Sequence, residues 1–399
     1  MNILYISPFS HGVNISPRLH TASLIANYGN NVHFYTVQTS YVEYKAKKTP
    51  VQIIEPPRAV NMHYIKNYYL LQNVAYPFIN PVREYRELNK IIEDSDIDIL
   101  HFYSPEFLTC LPLPKLKSMK SDLPIVLSIN GIPGYGWYYG NKLVDTIGKL
   151  YSKHVSLRII KKADLLIPFS LEVSAVLISL GIEEEKISSF IAHGVDIDVF
   201  KPATSGTKRT LRAKYDLPLS SFIIMYAGRL VESKRLDTAI ISVGELDRRG
   251  MRALLLIVGD GPQKAELMSL AKTRYKACVR FIDFVPQTVL SELYACSDMF
   301  ILLSQGEGIS SALLQASASG LPALVTDVGA NSDIVQTGVN GVVIQQIESD
   351  TINDGIMRIM ENTEKLSKNA RAMAENTLDW NEVIQKYLHA YEKLLQPSN

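Results

Sequence analysis

Short apolar runs recur along this chain with helix-patterned segments between them, and that alternation restricts the fold more than any other feature. In the first half the runs fall at residues 3–6, 32–37, 97–102, 125–129, 165–169 and 187–192. In the second half they fall at 222–226, 254–258, 279–284, 299–303, 323–326 and 341–344. Apolar runs this short, alternating with helical patterns, read as strands of a parallel sheet flanked by helices. With 399 residues the chain is too long for one core. Two doubly wound α/β domains are predicted. A linker composition at 202–208, with Pro202, Ser205 and Gly206, sets the boundary near 203.

Composition narrows the function classes. The formal net charge is +1, so nothing global points to nucleic acid. No segment approaches the length of a membrane span. The first residues form an apolar run without the charged start and cleavage site of a signal peptide. Cys110, Cys278 and Cys296 are scattered and lack metal-ligand spacing. A reduced, cytoplasmic chain without a metal site is the expectation.

Ligands of open α/β sheets sit beyond the carboxyl ends of the strands, so the residues just after each run are the candidates. The most informative stretch is 304–341. Gly306-Glu307-Gly308 breaks the run at 299–303, and two glycines around one carboxylate let the backbone approach a ligand. After Ile309 a small-residue helix runs from Ser310 to Ser319, with Gln315 on it, and is stopped by Gly320 and Pro322. Its free N–H groups and positive dipole end face the acidic loop, a site suited to phosphate. Upstream, Gly228 permits close backbone approach, and Arg229 and Lys234 add two cations after the run at 222–226. Isolated cations of this kind are most often surface salt bridges. Their position at a strand end, with Glu307 downstream, points instead to binding of an anion. Gly259 lies in a Gly-Asp-Gly-Pro turn, and Val285 follows Phe284 after the next run.

In the first half, Gly12 lies in the loop after the first run, either facing substrate or simply connecting strand to helix. Asn130 opens a loop rich in Gly that carries Tyr135, Trp137, Tyr138 and Tyr139. Aromatic rings there offer a platform on which the C–H face of a sugar could stack, or plug the core. His101 ends one run and His11 follows another, and both are read either as cleft-facing groups or as structural partners. Residues 40–85 mix Lys and Arg with Tyr. Between 115 and 162 nine Lys or Arg face two Asp, and Leu143, Ile147, Leu150 and Tyr151 share one helical face. Contact with an anionic membrane and a solvated, self-packed surface both fit.

The stretch from Glu307 to Asp333 resembles the donor-binding signature of glycosyltransferase family 4, whose pattern is Glu, seven residues, Glu, a small-residue helix and Gly-x-Pro. Thr326-Asp327-Val328-Gly329 and Asp333-Ile334-Val335 also match, with Asp333 where Glu is usual. Arg229 and Lys234 match the diphosphate-binding cations, Gly259 the turn shaping the base side, and Val285 the segment bordering the base. The resemblance covers nearly the whole chain and is strongest from Ile191 onward. It implies the GT-B fold, two Rossmann-like domains facing across a cleft. These are an acceptor-side domain at 1–202, a donor domain at 203–378, and a final helix at 379–399 returning to the first. It implies transfer from a nucleoside-diphosphate sugar with retained configuration and no metal or other cofactor. Arg229, Lys234 and Glu307 would be catalytic. Gly12, Gly228, Gly259, Val285, Gly308, Ile309, Ser310 and Gln315 would bind the donor, and Asn130, Trp137 and His101 would face the acceptor.

The chain departs from the pattern in four further places. Gln315 replaces the second Glu, Asn130 replaces a His, His193 replaces an Asn, and Gly12 stands alone where a glycine pair is usual. The expected function is a retaining glycosyltransferase acting on a glycan, lipid-linked or protein-linked acceptor in cell-surface glycoconjugate synthesis, with peripheral contact to the inner face of the membrane. The departures motivate a rival from another class: a noncatalytic GT-B subunit that binds a glycosylated protein or supports a partner transferase. Nucleotide-sugar epimerisation, the third reading, does not show this spacing of motifs.

Overall fold

A computed structural model describes residues 1–8, 16–37, 57–65, 69–70, 77–78, 80–137, 142–275 and 277–396. The chain divides into two compact units, Met1–Ile191 with Ile384–Asn399, and Ala192–Val383. The first unit holds strands β1 (Asn2–Ile6), β2 (Asn31–Val37), β3 (Val60–Ile65), β4 (Ile99–Tyr103), β5 (Ile125–Ile129) and β6 (Leu165–Pro168). Their spatial order is β6-β5-β4-β1-β2-β3, and every pairing is parallel. The second unit holds β7 (Phe222–Ala227), β8 (Ala253–Val258), β9 (Val279–Ile282), β10 (Met299–Leu302), β11 (Ala323–Thr326) and β12 (Gly341–Ile344). Their order is β9-β8-β7-β10-β11-β12, again all parallel.

Each sheet therefore reverses its strand order once, between β1 and β4 in the first and between β7 and β10 in the second. The runs are continuously apolar because helices cover both faces of a parallel sheet and leave no wet side. Ile3, Leu4, Tyr5 and Ile6 are fully buried, as are Leu255, Leu256 and Ile257.

Two sequence expectations need correction. Residues 187–192 form no strand. Ile187 makes one isolated bridge to Leu166, Ser188 N–H donates to the Leu166 carbonyl at 2.9 Å, and Ile191 N–H donates to that of Pro168 at 3.3 Å. Proline has no N–H to return on that side, so the ladder stops. Conversely, β3 lies within residues 40–85, where the sequence shows no clean periodicity and no apolar run is assigned. It is an edge strand whose Asn61 is exposed and whose Met62, His63 and Tyr64 are only part-buried, so it carries no apolar run.

The last helix, Trp380–Leu395, enters the first unit at Ile384. Within that unit Tyr391 Oη lies 2.6 Å from Tyr5 Oη and 2.6 Å from His101 Nδ1, which fastens the helix to β1 and β4. Cys110, Cys278 and Cys296 are free and buried. Among the described residues no helix is long and apolar enough to cross a membrane.

Candidate functional site

The site is built where β7 and β10 part. Gly228 follows β7 with φ +152°, and a Cβ there would lie 2.9 Å from Tyr226 Oη. Gly259 follows β8 with φ +142°, and its Cβ would meet the Gly228 carbonyl oxygen at 2.0 Å. Only glycine fits both places, so the two strand ends close backbone to backbone. Gly228 N–H donates to the Val258 carbonyl at 3.0 Å and Leu230 N–H to that of Asp260 at 2.9 Å. Tyr226 Oη donates to the Arg229 carbonyl at 2.8 Å, while the Arg229 side chain is exposed and enters no ion pair among the described residues.

Lys234 ends a single 3₁₀ turn, Glu232–Lys234. Arg235 stops that turn in the left-handed region, at φ +48° and ψ 42°. A non-glycine residue holds that conformation only when its surroundings impose it. Here the Arg235 guanidinium donates to Thr238 Oγ1 at 3.1 Å and reaches Asp237 at 3.4 Å. Lys234 Nζ forms an ion pair with Glu307 and donates to Ser304 Oγ at 3.3 Å. Ser304 Oγ in turn donates to Glu307 Oε1 at 2.8 Å. The Lys234 and Glu307 side chains are only 18% and 13% exposed. Ion pairs this enclosed are coupled far more strongly than surface ones.

The loop carrying Glu307 is fixed from behind. Thr326 Oγ1 donates to the Ser304 carbonyl at 2.6 Å, and Gln305 N–H donates to that of Ser233 at 2.8 Å. Gly329, at φ +55°, packs so closely that a Cβ would lie 2.2 Å from the Glu307 carbonyl oxygen. Ala330 N–H donates to the Gly308 carbonyl at 2.9 Å. Ser310 then caps the helix Ser311–Ala318. Among the described residues the N–H groups of Gly308, Ile309 and Ser310 donate no backbone bond, so they remain available to an anion. Gln315 is half-buried one turn along that helix. Val285 is half-buried after β9, beside Phe284, which is 58% exposed. Lys234, Ser304 and Glu307 are thus in direct contact, and Gly228 and Gly259 are in direct contact. Among the described residues no side-chain hydrogen bond or ion pair joins Arg229, Gln315 or Val285 to either group. Ser304 escaped the sequence reading because a serine at a strand end carries no signal until its partners are placed.

The first-unit candidates are dispersed. Gly12, His11, Tyr138 and Tyr139 lie outside the described residues, as does most of the segment 40–85. Asn130 is half-buried at the end of β5. Trp137 takes part in a two-residue ladder, Gly136–Trp137 against Ile132–Pro133. His101 is corrected from acceptor contact to core residue. It is fully buried, and with Nδ1 at Tyr391 and Nε2 2.7 Å from Ser128 Oγ it has no ring nitrogen left for an acceptor. Burial pushes its imidazole down to about 3. No group of three or more His, Cys, Asp or Glu able to hold a metal occurs among the described residues.

Two family models match the chain, Glycosyltransferase Family 4 over residues 19–199 and Glycosyl transferases group 1 over residues 207–378. Spore coat protein SA of Bacillus subtilis is 23% identical over 342 residues, spanning 81% of this chain and 85% of that protein. A D-inositol 3-phosphate glycosyltransferase of Nocardia farcinica is 25% identical over 249 residues, 60% of this chain and 54% of that one. Among solved structures, sucrose-phosphate synthase from Thermosynechococcus elongatus superposes with a TM-score of 0.78 at 17% identity and 100% coverage of both chains. HepE of Anabaena, solved with UDP and glucose, superposes with a TM-score of 0.72 at 15% identity, covering 98% of this chain and 99% of that one. These likenesses establish the GT-B fold, and the two adjoining family models cover both units. The chain belongs to glycosyltransferase family 4, the group 1 glycosyl transferases.

Proposed function

We propose that this glycosyltransferase moves a sugar from a nucleoside-diphosphate sugar to a glycan, lipid-linked or protein-linked acceptor, with retained anomeric configuration and without a metal ion, in cell-surface glycoconjugate synthesis. The observation that carries the reading is the Lys234–Ser304–Glu307 cluster beside the exposed Arg229, where β7 and β10 part. The held cation Lys234 and the exposed guanidinium of Arg229 would compensate the charge that develops on a departing diphosphate, and preorganised charge is often the largest single catalytic contribution. The amides of Gly308, Ile309 and Ser310 add donors for the same anion. HepE was solved with UDP and with UDP-glucose, which favours a uridine nucleotide here too. The test is proton NMR of an incubation with UDP-sugars, mixed glycoside acceptors and EDTA. The reading requires a new glycosidic linkage with the donor's own anomeric coupling. An inverted product, or dependence on added metal, contradicts it.

Gln315 and Asn130, both neutral where the family has an ionisable group, favour the second reading, a noncatalytic GT-B subunit. It requires a folded protein that turns over no nucleotide sugar and co-purifies with a transferase.

Peripheral membrane contact is supported by the helix Lys142–Tyr151, none of whose residues is buried. Leu143, Ile147 and Leu150 are 70%, 59% and 54% exposed, with Lys142, Lys149 and Lys153 alongside. An apolar stripe edged by cations suits an anionic bilayer. Co-sedimentation with anionic vesicles, lost on Ile147→Glu, is the expected result. Equal binding by the variant removes this helix from the contact.

A further inference from the structure

The first sheet has its own switch point, where β1 and β4 part. Arg18 lies in the first turn of the helix Pro17–Asn27 that follows β1. Its guanidinium carbon sits 5.4 Å from the Tyr103 ring centre and 5.8 Å from that of Phe107. Glu106 lies just beyond β4 on the other side of the reversal. The opposite charges of Arg18 and Glu106 act on one another, yet no direct ion pair joins them among the described residues. Glu106 Oε2, Tyr151 Oη and Ser152 Oγ are all buried without a hydrogen-bond partner among the described residues. Native interiors leave few such atoms, and each calls for an explanation: strain, a water or ion, or a catalytic role.

Two backbone features mark the same place. Ser104 has φ +59°, a conformation that a serine holds only under constraint. Ser152–Ser156 is a π-helical turn, rare and concentrated at functional sites. Ser156 Oγ donates to the Pro105 carbonyl at 3.3 Å, which ties that turn to the loop carrying Glu106. Burial raises the Glu106 carboxyl to about 7, against its own backbone hydrogen bond and the Arg18 charge, which lower it. Near neutrality such a carboxyl both donates to and accepts from alcohols, and when ionised it repels a second anion. The pattern repeats that of the second sheet, where Lys234 follows the first strand and Glu307 follows the strand across the reversal. There the charges are paired, whereas here they are held apart.

We propose that Arg18 and Glu106 bind hydroxyl groups of the carbohydrate acceptor, with Tyr151 and Ser152 supplying further hydroxyl partners. This rests on the transfer reading above and gives that reaction its acceptor-side residues. The test is saturation-transfer-difference NMR on the full chain with UDP present, using methyl α-glucoside, methyl β-galactoside and methyl α-mannoside as probes. The wild type gives ring-proton enhancements from at least one glycoside. Glu106→Ala and Arg18→Met each weaken its binding by roughly tenfold or more, the loss expected of a hydrogen bond to a charged group. Should Glu106→Ala fail to fold, the near-isosteric Glu106→Gln carries the same test. Silence from every glycoside, or unchanged signals in the variants, overturns the proposal. The UDP-induced rise in melting temperature is read on the same samples. A retained rise with silent glycosides overturns only the acceptor site, whereas its absence in the wild type counts against the donor reading. Octyl glucoside binding more tightly than methyl glucoside supports the site with a lipid-linked sugar, and equal binding supports it with a free glycan.

Discussion

Replacing Lys234 by Ala should produce two separable losses. The first is structural. Glu307 is 13% exposed, and without Lys234 it keeps one neutral donor, Ser304 Oγ at 2.8 Å. Breaking a fully buried ion pair costs about 3–5 kcal/mol, and an exposed one about 1 kcal/mol or less. A pair this enclosed but still reached by water lies between, at about 2 kcal/mol. In a unit of this size that lowers the melting temperature by roughly 4–8 °C. The second loss is functional. A diphosphate bound at this edge forfeits one charge-assisted contact, about 1.5–3 kcal/mol, or roughly tenfold to a hundredfold in affinity. The variant Lys234→Ala/Glu307→Gln separates them, because a neutral amide needs no counter-charge. Stability should return to within about 1 kcal/mol of wild type. Affinity for the nucleoside diphosphate, measured by titration calorimetry, should stay low. If affinity recovers together with stability, Lys234 serves only to neutralise Glu307, and its proposed role on the diphosphate is wrong.

Other consequences are equally direct. Gln315→Glu should tighten nucleotide binding severalfold, because a carboxylate accepts ribose hydroxyls about twice as strongly as an amide; unchanged affinity removes that contact. His101, held down to about 3 from 6.5, contributes stability that is complete above pH 6.5 and lost as the pH falls toward 3. The loss amounts to about 5 kcal/mol at most, and His101→Gln should flatten that part of a urea-melt pH profile. Glu106 has the opposite sign. Raised from 4.5 to about 7, it stabilises most below pH 4.5 and loses that advantage as the pH rises through 7. Glu106→Gln should therefore gain up to about 3 kcal/mol relative to wild type at pH 8, and a flat difference between pH 5 and pH 8 would refute the burial of that carboxyl.

Legibility followed the physics of each element. Strands covered on both faces announce themselves as apolar runs, so β5, β11 and β12 match the sequence expectation residue for residue. Edge strands do so only where their faces are covered: β12 is an edge strand, but its Gly341, Val342 and Ile344 are buried. The edge strand β3 lacks an apolar run, and the run at 187–192 fails as a strand because Pro168 cannot pair onward. Lys234 and Glu307 were readable as a strand-end cation and a glycine-flanked carboxylate, each local in sequence. Their contact, and the serine between them, needed the sheet order that sets β7 beside β10. His101 shows the converse. A histidine ending an apolar run carries no mark of whether it faces a ligand or the core, and here Tyr391, from the last helix, claims it. The Arg18–Glu106 site had no sequence signal at all. Its members come from either side of a strand reversal, and only the fold reveals a buried carboxyl oxygen, Glu106 Oε2, without a partner among the described residues.

The central claim is that the edge between β7 and β10 holds a nucleoside diphosphate through Arg229 and Lys234. Thermal melts against UDP, GDP, ADP and CMP test it most directly, since a ligand that binds only the native state raises its melting temperature. The account predicts a rise with one nucleoside diphosphate that Arg229→Ala abolishes while leaving the unliganded melt unchanged. A folded wild-type protein indifferent to all of them, or a rise that survives Arg229→Ala intact, would contradict it.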